Sequence, residues 1–184
     1  ILNNSEGDIT FYNAVTINNP VGTAINIDNS GGTETVTFTD AAPLIIETGN
    51  GDGIYTYSDG TLVVAGTGNT IDATGGAALD LEGTTLDLTF DSLESTDSAK
   101  EGISLYSVYG TGASNGLTVT GATTVTNSTD SGIFVQDAYA DLTLDTVTVD
   151  TTGANGIQLD NAYGTVVMGD TQVFDATDNG ILLA

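Results

Sequence analysis

Three tyrosines, Tyr109, Tyr139 and Tyr163, recur at intervals of 30 and 24 residues within matching neighbours: Val108-Tyr109-Gly110, Ala138-Tyr139-Ala140 and Ala162-Tyr163-Gly164. A periodic row of aromatic rings has two uses. Exposed, it binds the apolar faces of sugars. Stacked ring on ring, it covers one corner of a core. The second candidate chemistry is cation binding, because calcium takes oxygen ligands from carboxylates and carbonyls. The densest oxygen-rich turns are Asn50-Gly51-Asp52 and Asp175-Ala176-Thr177-Asp178-Asn179. They make Asp52, Asp175 and Asp178 the candidate calcium ligands. Neither turn matches an EF-hand loop or a glycine-rich nonapeptide repeat, and Asp/Asn-rich segments also serve simply as turns.

Other chemistries lack their residues. The chain has no His and no Cys, so no nucleophile–His pair, no thiolate metal site and no disulfide can form. Lys100 is the one basic residue against 25 acidic ones. It sits in Asp97-Ser98-Ala99-Lys100-Glu101, which reads as a solvated turn, not a catalytic dyad. The Gly-rich piece Gly66-Thr67-Gly68-Asn69 lacks the lysine of a phosphate-binding loop.

A net charge of −24 excludes nucleic acid as a partner, since phosphate neutralisation needs Lys and Arg. It disfavours anionic membrane surfaces for the same reason. No run of apolar residues is long enough for a membrane-spanning helix, so no membrane insertion is expected. Disorder is not the expectation either, because 39% of residues are hydrophobic and strongly patterned.

That pattern supplies the elements that must position these residues. Seven times an Ala or Gly leads into a short apolar unit, starting at Ile25, Ile54, Leu79, Ile103, Ile133, Ile157 and Ile181. The intervals are 29, 25, 24, 30, 24 and 24 residues. Six units read aliphatic-x-aliphatic, and the exception carries Thr56 in the third place. A recurring period of this size marks stacked repeats. The intervening segments are rich in Thr, Val, Ile and Leu with period-two alternation, as in Thr146-Val147-Thr148-Val149, which predicts strands.

Each coil is expected to hold three short strands. The second strand includes Val36/Phe38, Leu62/Val64, Leu88/Phe90, Leu117/Val119, Leu142/Leu144 and Val166/Met168. The third is anchored by Ile17, Ile46, Ile71, Val125, Val149 and Val173, each eight residues before the next first-strand anchor. Leu93 precedes Ile103 by ten, which implies two residues inserted near Lys100. The fold class is therefore all-β: a parallel β-helix, or β-solenoid, of about seven coils, right-handed because parallel crossovers overwhelmingly are. A β-sandwich would use Asn-Gly hairpin turns, but Asn155-Gly156 and Asn179-Gly180 fall at coil boundaries. Residues 1–184 form one domain, either whole or a piece of a longer array, since the chain opens Ile1-Leu2-Asn3 without Met. The longest inserted segments, within 28–43 and 106–124, are the expected contact loops. The apolar end Ile181-Leu182-Leu183-Ala184 is expected to be a joining edge or the boundary of a longer array.

The Thr/Val/Gly/Asn-rich coils, such as Gly116-Leu117-Thr118-Val119-Thr120-Gly121-Ala122-Thr123-Thr124-Val125-Thr126-Asn127, come with Asn-Gly-Ile and Ser-Gly-Ile coil starts and few basic residues. In these features the chain resembles bacterial secreted adhesins and autotransporter passenger domains. The resemblance implies an extracellular or cell-surface structural or adhesive segment. Its partners would be host or surface glycans, proteins, or copies of itself joined end to end as a fibre. The competing expectation is a β-helix enzyme using carboxylates on a neutral polysaccharide. For that reading, stacking would set Asp137 beside Asn161 and Gln136 beside Asp160. The basic partners of pectate-lyase-like and polygalacturonase-like sites are missing.

Overall fold

The computed structural model describes residues 2–3, 7–29, 33–58, 60–111 and 115–184, and these are all strand, turn or irregular, with no helix. Two parallel sheets wind along the chain. The first has eight strands, one per coil: Leu2–Asn3, Ile25–Asn29, Ile54–Ser58, Leu79–Glu82, Ile103–Tyr106, Ile133–Gln136, Ile157–Asp160 and Ile181–Leu183. The second has twelve strands and forms the other walls. This is a β-solenoid, as the period requires.

The apolar units stack in register. Ile25, Ile54, Leu79, Ile103, Ile133, Ile157 and Ile181 form one inward ladder. Beside it run Ile27, Thr56, Leu81, Leu105, Val135, Leu159 and Leu183. Inward side chains are almost fully excluded from water in the middle coils; Leu159 is only partly buried, and Ile181 and Leu183 in the last coil are exposed. Thr56, the break in the apolar pattern, is completely buried, and its hydroxyl meets that of Thr84 at 2.6 Å. The buried polar group is therefore paired, as burial demands.

The small residue that opens each coil has a steric cause. A Cβ on Gly53 would lie 2.5 Å from Ile71 Cγ2, on Gly102 2.2 Å from Val125 Cγ1, on Gly132 2.3 Å from Val149 Cγ1, and on Gly156 2.2 Å from Val173 Cγ1. The third-strand anchor of each of these coils closes onto the residue that starts it.

The stacking differs from the sequence expectation in two respects. The third-strand anchors do not form one ladder. Ile46 pairs with Ile71, Ile71 with Leu93 and Leu93 with Thr123, whereas Val125 pairs with Ser95 and Ser95 with Ala73. The two residues inserted beside Lys100 move the eight-residue spacing from one inward row to the next. The second strands slip likewise: Leu62 pairs with Leu86 and Val64 with Leu88, so Leu88/Phe90 is not the continuation of Leu62/Val64. The strand Thr85–Phe90 absorbs the slip by turning Leu86, Leu88 and Phe90 inward together.

The expected three strands per coil also hold only in the earlier coils. From Gly116 on, the second and third strands run together as Gly116–Ser128, Asp141–Thr152 and Val166–Ala176. Earlier, a turn separates them. There the buried Asn69 donates to the carbonyls of Ala65 and Thr89 and accepts from the Leu44 N–H at 2.8 Å. The longer strands instead bend through, with a register irregularity between Val119 and Ala122. A continuous strand needs no such polar plug.

Candidate functional site

The first-strand corner positions the tyrosines. Four successive first strands are each followed by a residue with positive φ: Gly83 (65°), Ser107 (51°), Asp137 (53°) and Asn161 (51°). Asp and Asn tolerate this left-handed region better than other non-glycine residues. Two residues on, the tyrosine backbones hydrogen-bond from coil to coil, Tyr139 N–H to Val108 C=O at 2.8 Å and Tyr163 N–H to Ala138 C=O at 2.7 Å. Val108 and Ala138 point into the core. The rings must then point out and stack.

Tyr109 and Tyr139 are parallel with centroids 5.4 Å apart, and Tyr139 and Tyr163 lie 4.6 Å apart. The three remain 44%, 53% and 60% exposed. Their inner faces cover one another, so edges and hydroxyls meet solvent along the ladder. Partial desolvation by the stack, followed by the nearby Tyr163, Tyr109 and Asp137, raises the pKa of the Tyr139 phenol. The expected stack is present, and contacts along its side use ring edges.

The corner residues are linked as well. Asn161 Nδ2 donates to Asp137 Oδ1 at 3.0 Å, and Gln136 pairs with Asp160 in register. Gln158 Nε2 donates to Asp160 Oδ2 at 2.7 Å. At the opposite corner, Asp97, Asn127, Thr151 and Asp175 also have positive φ, and Asn127 Nδ2 donates to Asp97 Oδ1 at 3.0 Å.

The candidate calcium ligands do not converge. Asp52 lies just before the strand Ile54–Ser58, Asp175 lies near the end of the strand Val166–Ala176, and Asp178 lies in the turn that follows it. Asp52 accepts the Ala77 N–H at 2.9 Å and the Thr23 hydroxyl at 3.5 Å. Among the described residues, no group of three or more acidic side chains is arranged to hold a metal ion. The tips of the two long inserted segments, 30–32 and 112–114, lie outside the described residues.

Lys100 lies in the expected turn, but its ammonium is held by carboxylates and is not free in solvent. Its ammonium reaches down two coils, pairing with Asp80 and lying 3.9 Å from Asp52 and 5.9 Å from the Tyr55 ring centroid. Its side chain is 42% exposed. Burial lowers its pKa, but the hydrogen bond and charge of Asp80, then Asp52 and Glu101, prevail and raise it. Spacing along the chain gives little sign of this cluster, because its members come from three coils. The only trace is that Tyr55 and Asp80 hold the same place in successive first strands.

Hollows also mark the described surface. One of about 370 Å³ follows the bend of the long strands, lined by Thr118, Thr120, Thr143, Asp145, Val167 and Gly169. Another, about 490 Å³, opens on the last coil over Leu159, Val166, Met168, Ile181 and Leu183. No family model matches this chain, and neither a curated protein nor a solved structure matches it.

Proposed function

We propose that this chain is an extracellular structural or adhesive β-solenoid segment that acts by presenting a straight, rigid surface to a glycan or protein partner. The observation that carries this reading is the coil-to-coil register. Residues 24 to 30 apart in sequence become adjacent rungs in both sheets. Side chains that repeat in sequence therefore form straight rows about 4.8 Å per step, held by backbone hydrogen bonds. The tyrosine stack and the paired corner Asp/Asn residues are such rows. Rigidity lowers the entropy lost when a partner docks. An extracellular place fits a cysteine-free chain of this composition and its likeness to secreted adhesins.

Negative-stain electron microscopy of the purified chain at rising concentration tests the reading. Short, straight rods at every concentration support a stalk or adhesive segment. Filaments one solenoid wide would make the role self-assembly, with the hollow over Leu159 and Met168 receiving the first coil of another copy. Irregular or flexible particles would overturn the proposal.

A further inference from the structure

The Lys100 cluster has an unfilled counterpart one row away on the same sheet face. Along the first strands the outward residues fall into two rows. One runs Asn26, Tyr55, Asp80, Ser104, and the other Asp28, Tyr57, Glu82, Tyr106. In the first row, a tyrosine and the carboxylate stacked on it hold the Lys100 ammonium. Two residues further along the same strands, Tyr57 and Glu82 repeat that pair, and Tyr106 adds a second ring above the carboxylate. Tyr57 is 46% and Tyr106 37% exposed. Lys100 is the chain's only basic side chain, and it is committed to Asp80, so the chain has no second Lys or Arg for this row.

We infer that Tyr57, Glu82 and Tyr106 form a binding site for a Lys or Arg side chain of a partner polypeptide. This rests on the adhesive-surface reading and names the partner's chemistry. Each tyrosine is one strand spacing, about 4.8 Å, from Glu82. In the neighbouring row the same register of tyrosine beside carboxylate puts the Lys100 ammonium 5.9 Å from the Tyr55 centroid, and a cation drawn to the Glu82 carboxylate has a ring of this kind on either side, where a cation–π contact reaches to roughly 6 Å. The carboxylate supplies charge, and the rings supply aromatic faces for the cation. The net charge of −24 gathers basic segments and repels acidic ones before contact.

The test is fluorescence anisotropy of fluorescein-labelled hexaarginine titrated with the full chain near physiological salt, with an acidic hexapeptide and a neutral hexasaccharide as alternative probes. Glu82→Gln is expected to weaken hexaarginine binding about 5-fold, and the Tyr57→Leu/Tyr106→Leu double variant about 5- to 20-fold. Tyr57→Phe/Tyr106→Phe, which keeps both rings, should retain most of the affinity. Glu94→Gln removes the same charge from the third-strand face and should change it less than about 2-fold. Circular dichroism melts of the variants establish that each is folded.

Equal losses for Glu82→Gln and Glu94→Gln would mean diffuse attraction and overturn the site. So would an unchanged double-leucine variant. Hexasaccharide binding that the double variant abolishes, without hexaarginine binding, would make the row a sugar site instead. Small-angle scattering on the same samples separates the two levels. A rod without site-dependent binding defeats this inference alone, and a particle that is not a rod defeats the reading beneath it.

Discussion

Asn161 donates its side-chain amide to the Asp137 carboxylate of the preceding coil at 3.0 Å, with both residues in the left-handed region at φ 51° and 53°. The corner thus sets an amide against a carboxylate where a second carboxylate would repel it. Asn161→Asp replaces the bond with a like-charge contact and should destabilise the fold by about 1 kcal/mol at low ionic strength. Urea unfolding at low and high salt checks this. The loss should shrink as salt screens the pair.

The buried Thr56–Thr84 pair is asymmetric. Thr84 donates its hydroxyl to the Glu82 carbonyl at 3.0 Å, so Thr56 must donate to Thr84. Thr84→Val therefore strands the Thr56 hydroxyl in the core and should cost about 1–3 kcal/mol. Thr56→Val leaves Thr84 bonded to Glu82 and should fall within about 1 kcal/mol of the parent. Comparable losses from both substitutions in denaturant melts would contradict this assignment.

The small residue opening a coil is a packing requirement where a third-strand side chain lies on it. Gly132→Ala sets a Cβ 2.3 Å from Val149 Cγ1 and 2.7 Å from the Gly156 carbonyl oxygen. It should destabilise by about 1–3 kcal/mol, as overpacking does. Gly180→Ala meets nothing closer than 3.9 Å and should be nearly neutral by thermal melting.

Glu47, Asp72 and Glu94 stack in register on the exposed face of the third strands. Like charges directly opposite one another are unfavourable, so Asp72→Thr should stabilise the protein by roughly 0.5 kcal/mol in dilute buffer. Repeating the melt in high salt should remove most of the gain. A gain independent of salt would point to strand propensity in place of charge.

Lys100 links three coils, and its contribution should follow its titration. Its folded pKa is raised above the ordinary 10.5, so the charged form is the one that folding favours. The stabilisation is fully present below about 10.5 and is lost as pH rises through the higher folded value. Because the side chain is 42% exposed, solvent screening limits the effect. Lys100→Met should cost no more than about 1 kcal/mol at neutral pH. The difference from the parent should close only in strong alkali. A difference constant with pH would assign the loss to packing.

The sequence by itself determined the period, the strand alternation, the inward aliphatic rungs, the small residue opening each coil and the stacked order of Tyr109, Tyr139 and Tyr163. These follow from local pattern. An outward residue repeated at the coil period must meet its equivalent, as Gln136 meets Asp160. Tertiary structure alone decided which of two inward rows each third-strand anchor joins. A slip of two residues leaves every side chain on the same face, so the hydrophobic pattern of Ile71 and Val125 is blind to it, whereas a slip of one would show. It also decided that Lys100 reaches Asp80, Asp52 and Tyr55. Those contacts join residues some 20 to 50 positions apart, and turn lengths and backbone register bring them together, which no single stretch of chain encodes.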